Sequence, residues 1–113
     1  IAFNEPMKEY EISVEAFGAL PTRVLPLSKE TIDQNTRLTA GGDEKLMPRF
    51  AATMGMAPIL AAKKCLLLAC FAEQIAPLKA ILAKGEPTPF LPASYLWRHP
   101  DYRLVYTTDR IAL

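Results

Sequence analysis

Two charged side chains, Glu5 and Arg37, have the types and positions in this 113-residue sequence that suit chemistry. Glu5 lies between Asn4 and Pro6 in an apolar opening, where a carboxylate either acts as a tuned acid or base or pairs with a nearby lysine or arginine. Arg37 follows a predicted short helix, where its guanidinium either binds a phosphate through two oriented N–H groups or stays in solvent. The residues alone leave both choices open.

The other chemistry-bearing residues lack the neighbours that known reactions need. His99 is the only histidine, with neither a cysteine nor a carboxylate at metal-ligand spacing, so we expect a structural or surface imidazole. Ser94 lacks the Gly-x-Ser-x-Gly surroundings of a nucleophile and is expected to cap a helix. The sequence contains no glycine-rich phosphate loop and no metal-binding cluster. We therefore expect neither a cofactor nor a metal.

The composition excludes several classes of partner. Thirteen lysines and arginines against 12 aspartates and glutamates give a net charge of +1, too small for a nucleic-acid tract or an acidic-membrane anchor. No apolar run approaches the roughly 20 residues that cross a bilayer. We expect a cytoplasmic protein whose partner is a small molecule, with homo-oligomerisation left open. Its cysteines, Cys65 and Cys70, are expected to be small buried hydrophobic residues rather than a disulfide.

The elements that position these residues alternate between strands and helices. A first strand is predicted at 22–27, and Ser28 is expected to cap a helix at 29–35. The apolar stretch 64–70 fits a strand covered on both faces, as parallel sheets require. A helix and a further strand are expected after it, at 73–84 and 102–107.

Between these elements the pattern is less regular. We expect a loop at 7–20 and two short pieces joined by a bend at 48–62, where Gly55 interrupts the apolar residues. The helix that follows tolerates Pro77 only within its first turn, and Gly85 is expected to close it.

This order of elements predicts an α/β fold with an open, mostly parallel, doubly wound sheet of the Rossmann-like kind. Such sheets bind ligands at the C-terminal ends of their strands. We expect residues 1–113 to form one incomplete domain, because the opening has no initiator methionine and no signal peptide and looks cut from a longer chain.

Several short segments stand in a specific order along the chain: Ile1–Pro6, Thr22–Val24, Asn35–Arg37, Thr53–Met56 and Pro92–Pro100. Together they resemble motifs of the glucosamine/galactosamine-6-phosphate isomerase (deaminase) family. The first is similar to its active-site motif, and the last is similar to its closing Pro-Ala-Ser-x-Leu-x-x-His-Pro element. The resemblance implies that the chain is the C-terminal portion of a sugar-phosphate isomerase domain.

The resemblance also implies a reaction and a role for each of four residues. An amino-sugar 6-phosphate is opened, a proton moves between C2 and C1, and the amine leaves as ammonia, giving a ketohexose phosphate. In that family the glutamate matched by Glu5 supports a histidine that acts on the ring oxygen, so Glu5 is the implied catalytic residue. The implied substrate-binding residues are Ala2, Asn4 and Arg37, with Arg37 on the phosphate. We expect Glu5 and Arg37 to converge at one sheet edge.

Two positions depart from the family pattern. Members commonly carry a lysine that helps hold the phosphate after the strand, whereas Ile75 stands there in this sequence, with Lys79 one turn beyond. Leu25 stands where members with an allosteric phosphate site carry a lysine, so no effector site is expected. Two alternatives stay open: a non-catalytic or regulatory sugar-phosphate-binding homologue, and a 6-phosphogluconolactonase-like hydrolase. The choice between gluco and galacto substrates also stays open.

Overall fold

The computed structural model describes all of residues 1–113, in which four α-helices alternate with four strands. The strands are β1 (Arg23–Pro26), β2 (Phe50–Thr53), β3 (Cys65–Ala69) and β4 (Tyr102–Tyr106). The helices are α1 (Val14–Gly18), α2 (Lys29–Thr39), α3 (Met56–Leu60) and α4 (Ile75–Leu82), with 3₁₀ helices at Glu44–Leu46, Ala72–Gln74 and Pro92–Arg98. None of the helices combines the length and apolarity that a membrane crossing requires.

β3 and β4 form a parallel pair, with Leu67 beside Leu104. α4 connects the two strands and packs on one face of the pair, where a buried apolar cluster comprises Ala69, Leu78, Ile81 and Ile111. A strand, a helix and a parallel strand in this arrangement make the repeating unit of α/β sheets. The predicted fold class is therefore confirmed, and the predicted strands at 64–70 and 102–107 are both present.

β1 and β2 form a separate antiparallel ribbon, in which Arg23 lies beside Thr53 and Pro26 lies beside Phe50. The strand predicted at 22–27 is present, but it pairs with β2 and does not join the parallel pair. The two pieces and the bend predicted at 48–62 are β2, the turn at Gly55 and α3. Sequence pattern did not show that the first piece is a strand, because its four residues are too few to establish a period.

Ser28 caps α2, as predicted. Its Oγ accepts a hydrogen bond from the Thr31 backbone N–H at 3.2 Å, and Glu30 places a negative charge in the first turn. Lys29 and Asp33 form an exposed ion pair one turn apart, which raises the pKa of Lys29. The helix runs on to Thr39, beyond the predicted stretch.

The stretch 7–20 contains a helix, so its prediction as a loop is wrong. Ser13 caps α1 by accepting the Ala16 backbone N–H at 3.1 Å. Phe17 is completely buried against Met56 and Tyr95, in a second apolar cluster. A helix of five residues shows too little periodicity to be read from sequence, and its burial is what stabilises it.

The end of α4 also differs from its prediction. Pro77 is the third residue of the helix, within the first turn as required. Ala83 is the C-cap, and Lys84 follows it with a left-handed φ of +54°. Gly85 is therefore not the closing residue, because Lys84 already makes the turn that glycine was expected to make.

The closing motif, Pro92–Pro100, makes hydrogen bonds that hold segments of the fold together. His99 is buried and donates from Nε2 to the Ala62 carbonyl at 2.7 Å, while its Nδ1 accepts the Asp101 backbone N–H at 3.1 Å. Both ring nitrogens are occupied, as expected for a structural imidazole. The prediction that Ser94 caps a helix is wrong, since Ser94 lies buried inside a 3₁₀ helix and accepts the Thr88 backbone N–H at 2.9 Å.

We expect Tyr95 to make the fold less stable at alkaline pH. Its hydroxyl donates to the Val14 carbonyl at 2.7 Å, and burial raises the pKa of Tyr95 above its ordinary 10.0. The folded state favours the neutral phenol, so this stabilisation is complete below the unfolded pKa and is lost as pH rises through the raised pKa. Tyr95→Phe should cost about 1 kcal/mol at neutral pH and lose less stability at alkaline pH.

Urea unfolding at neutral and alkaline pH checks this expectation. Tyr10→Phe is the matched control, because the Tyr10 side chain is 81% exposed. If Tyr95→Phe loses as much stability on going to alkaline pH as the unchanged chain, Tyr95 is not the group responsible.

Candidate functional site

The chain opens with a tight turn. The Asn4 backbone N–H donates to the Ile1 carbonyl at 3.0 Å, and Ala2 within the turn has a φ of +48°. This left-handed conformation costs a non-glycine residue roughly 1–2 kcal/mol. Such a residue persists only where surrounding contacts fix the backbone, and strain of this kind clusters at functional sites.

Asn4 supplies those contacts. It is 2% exposed, and its Nδ2 donates to the Ile1 and Met54 carbonyls at 3.1 and 2.8 Å. Its Oδ1 accepts from Arg23 Nη1 at 3.0 Å. Both amide hydrogens and the amide oxygen therefore have partners, which fixes the orientation of the side chain. The opening turn is thus tied to the start of β1 and to the residue that follows β2.

The Glu5 carboxylate lies at the N-terminus of α2. Its Oε1 accepts from Ser28 Oγ at 3.0 Å and from the Thr31 hydroxyl, and the Ser28 backbone N–H lies 3.3 and 3.2 Å from Oε1 and Oε2. A negative charge is favoured at this end of a helix. Oε2 receives only the shared N–H, so it keeps the capacity to accept another hydrogen bond.

Arg37 lies in the last turn of α2, at the opposite end from Glu5. It is exposed and makes no side-chain hydrogen bond or ion pair. Arg37 lies nine positions after Ser28 along the helix, or about 13 Å at the usual rise per residue. Neither residue lines the three main cavities, and their expected convergence at one sheet edge stays a prediction.

A cavity of about 420 Å³ lies between the opening turn and the C-terminal end of β3. Ala2 and Asn4 form part of one wall, and Leu67–Ala69 and α4 form the other. Its volume is within the usual range for a small-molecule site, and it lies at the end of a parallel strand where α/β proteins bind ligands. Of the four residues implied by the family motifs, Ala2 and Asn4 border this cavity, whereas Glu5 and Arg37 do not.

Gln74 also lines this cavity, and sequence reasoning did not single it out. Its Oε1 accepts the backbone N–H groups of Cys70 and Phe71, both at 2.9 Å, so it fixes the loop that follows β3. Cys70 itself is exposed and Cys65 only partly buried, so the expectation of two buried cysteines is wrong.

The position of the usual phosphate lysine has a structural role here. Ile75 begins α4 and packs against the apolar cluster beneath the parallel pair. Lys79, one turn later, is exposed and makes no ion pair. Position 75 therefore offers no positive charge to a substrate phosphate.

The residues that hold Glu5 could not be assigned from sequence. Ser28 is recognisable as a helix cap, but nothing in the sequence shows that the same hydroxyl binds a carboxylate 23 positions earlier. Arg23 belongs to one of the family motifs. Its hydrogen bond to Asn4, however, depends on how the β1–β2 ribbon folds back onto the opening turn. The signal in each case is a polar residue beside a strand or helix end, which is too common to be specific.

No family model matches the chain. It is 40% identical over 112 residues to glucosamine-6-phosphate deaminase of Lacticaseibacillus paracasei, a match over 99% of this chain and 42% of the relative. It is 41% identical over 113 residues to glucosamine-6-phosphate deaminase 2 of Giardia intestinalis, a match over 99% of this chain and 38% of that relative. The chain thus spans about two fifths of the length of these relatives.

A solved structure of a monomeric glucosamine-6-phosphate deaminase of the NagB superfamily superposes with a TM-score of 0.77 and 27% identity. The match covers 96% of this chain and 40% of that one. The parallel pair, its connecting helix and this superposition show that the chain has part of the Rossmann-like α/β fold of that deaminase. Over nearly its whole length the chain is similar to proteins named glucosamine-6-phosphate deaminase, the family that its motifs resemble.

Proposed function

We propose that the protein containing these residues is an amino-sugar-6-phosphate isomerase and deaminase of the cytoplasm. It converts glucosamine- or galactosamine-6-phosphate and water into a ketohexose 6-phosphate and ammonia, so its reaction has an isomerase part and a hydrolytic part. The observation that carries the proposal is the similarity to named deaminases over 99% of the chain, opening turn included. The chain alone, at about two fifths of their length, is not expected to be active.

In this proposal Glu5 orients and charges a histidine supplied from outside residues 1–113. Three groups on α2, the Ser28 N–H and the two hydroxyls, hold the carboxylate, and Oε2 is the oxygen with room for an imidazole N–H. A fixed carboxylate favours one imidazole tautomer. It also stabilises the imidazolium that forms when the imidazole takes the proton of the anomeric hydroxyl, which it then gives to the ring oxygen as the C1–O bond of the ring breaks. Capping of α2 and support of catalysis are compatible, because they use different lone pairs.

In the same proposal the sugar lies along the cavity walled by Ala2 and Asn4, and its phosphate reaches Arg37. Arg37 suits this role because its guanidinium is unpaired and exposed, and a planar fork binds two phosphate oxygens at once.

Arg37→Ala tests this assignment in the full-length protein. Removing the phosphate contact should raise the KM for glucosamine-6-phosphate about tenfold to hundredfold with a small change in kcat, because the contact is made in both the ground and transition states. Ammonia release at varied substrate concentration measures both constants. Arg110→Ala, another exposed arginine, is the control. An equal loss with unphosphorylated glucosamine would show that Arg37 does not bind the phosphate.

One observation favours a second candidate, a non-catalytic sugar-phosphate-binding homologue. Ile75 is part of the packed core beneath β3 and β4, so the lysine that members commonly use is replaced by a residue the fold needs. Such a homologue would bind glucosamine-6-phosphate in a calorimetric titration without releasing ammonia. Binding with turnover would exclude it.

A further inference from the structure

The cavity between the opening turn and β3 has two polar side chains in its wall, Asn4 and Gln74. Asn4 donates both of its amide hydrogens within the chain, to the carbonyls of Ile1 and Met54. It therefore has no side-chain donor left for a ligand. The side chain of Gln74 is the remaining source of such a donor in this wall.

The orientation of the Gln74 amide is fixed by the loop that follows β3. Its Oε1 accepts the backbone N–H groups of Cys70 and Phe71, both at 2.9 Å. An amide nitrogen cannot accept such bonds, so these contacts distinguish the oxygen of the side chain from its nitrogen. The Gln74 backbone N–H also donates to the Phe71 carbonyl at 3.0 Å, so the main chain and the side chain are tied to the same loop.

The nitrogen of the same amide is free. Gln74 is partly exposed, and its Nε2 makes no hydrogen bond within the chain. The one buried side-chain polar atom without a partner is the Tyr102 hydroxyl, so the Gln74 Nε2 is open to solvent. Small-molecule sites are mostly apolar and use a few placed polar groups to orient the ligand. A fixed amide with two free N–H groups in an apolar wall has the properties of such a group.

We propose that Gln74 donates a hydrogen bond from Nε2 to a hydroxyl group of the substrate sugar. This inference rests on the proposed function, which places the sugar in this cavity and its phosphate at Arg37. Because Arg37 does not line the cavity, the acceptors beside Gln74 are hydroxyl groups and not phosphate oxygens. The oxygen of the Gln74 amide thus holds the loop, and its nitrogen binds the sugar.

Two substitutions in the full-length protein separate these roles. Gln74→Glu keeps an oxygen that accepts from Cys70 and Phe71 but has no donor at neutral pH, whereas Gln74→Met removes both. Each variant should raise the dissociation constant of glucosamine-6-phosphate or galactosamine-6-phosphate about tenfold. A role confined to the loop predicts that only Gln74→Met weakens binding. Calorimetric titration measures these constants without requiring turnover.

Ala72→Glu is the control for the charge that Gln74→Glu adds, because Ala72 is exposed and lies outside the cavity wall. It should change the dissociation constants by no more than about twofold, since an exposed charge is screened. Inorganic phosphate, titrated in competition with the sugar phosphate, is the second probe. Its affinity should be the same in Gln74→Glu and Ala72→Glu.

Unchanged sugar-phosphate binding in either Gln74 variant overturns the proposal and leaves the proposed function intact. The same holds if Gln74→Glu weakens inorganic phosphate as much as the sugar phosphate, because Gln74 would then serve the phosphate. If neither amino-sugar phosphate binds to the unchanged protein, the proposed function fails and the role of Gln74 fails with it. Hydrogen exchange at the Cys70 and Phe71 amides should stay slow in Gln74→Glu and become faster in Gln74→Met.

Discussion

Gly55→Ala should abolish cooperative unfolding of the chain or lower its unfolding free energy by more than about 3 kcal/mol. A Cβ at position 55 would lie 2.1 Å from the Leu20 carbonyl oxygen and 2.2 Å from that of Pro21. Both atoms belong to the backbone, so no side-chain rotation relieves the overlap. The same backbone accepts the Ala57 N–H at 3.0 Å, and moving it would loosen the start of α3.

Gly85→Ala is the matched control for this substitution. A Cβ there meets no atom within 4 Å, so we expect a change within about 1 kcal/mol. Urea unfolding followed by circular dichroism measures both variants. Equal stability of Gly55→Ala and the unchanged chain would mean that the segment at 20–21 does not pass over Gly55 in solution.

Glu5→Gln should lower the kcat of the full-length protein about 10²- to 10⁴-fold, on the proposal that Glu5 tunes a catalytic histidine. The amide keeps one oxygen that can accept from Ser28 and Thr31, but it removes the charge that stabilises an imidazolium. The cost to stability should be only about 1 kcal/mol, because α2 loses a charge at its N-terminus and one charge-assisted bond. Ammonia release and thermal unfolding on the same samples separate the two effects.

The control for Glu5→Gln is Glu15→Gln, which removes an exposed carboxylate from the first turn of α1. Its activity should match that of the unchanged protein. If Glu5→Gln turns over at the unchanged rate while α2 is destabilised, Glu5 is a helix cap and has no part in the chemistry.

Local signals in the sequence predicted the local features of the fold. Ser28 was recognisable because a cap depends on residues three positions apart, and Pro77 was placed correctly because its constraint lies within one turn. The prediction that Gly85 closes α4 was wrong because the backbone turns one residue earlier, at Lys84. The sequence gives no sign that Lys84 adopts a left-handed conformation. The prediction that Ser94 caps a helix was wrong because the burial of Ser94 depends on contacts beyond its own segment.

The sequence named candidate site residues but did not show their geometry. The opening motif identified Ala2, Asn4 and Glu5, but their ties to Arg23 and Ser28 join parts of the chain 19 and 23 positions apart. Such pairings are decided by how the β1–β2 ribbon and α2 fold back, which no local pattern contains. For the same reason the separation of Glu5 from Arg37 along α2 emerged only from the fold.

The uncovered side of β3 shows sequence and structure in partial agreement. The apolar run at 64–70 predicts burial on both faces, and one face is buried by α4 while Leu66 and Leu68 remain exposed. Burial of the strand is therefore confirmed for the face under α4 and not for the face of Leu66 and Leu68.

The stoichiometry of the reaction tests the central claim most directly. The full-length protein is incubated with glucosamine-6-phosphate and with galactosamine-6-phosphate, and ammonia and ketohexose 6-phosphate are both quantified. We predict that one of the two substrates yields the two products in equal amounts. Hydrolysis of 6-phosphogluconolactone with no ammonia from either amino sugar would contradict the account.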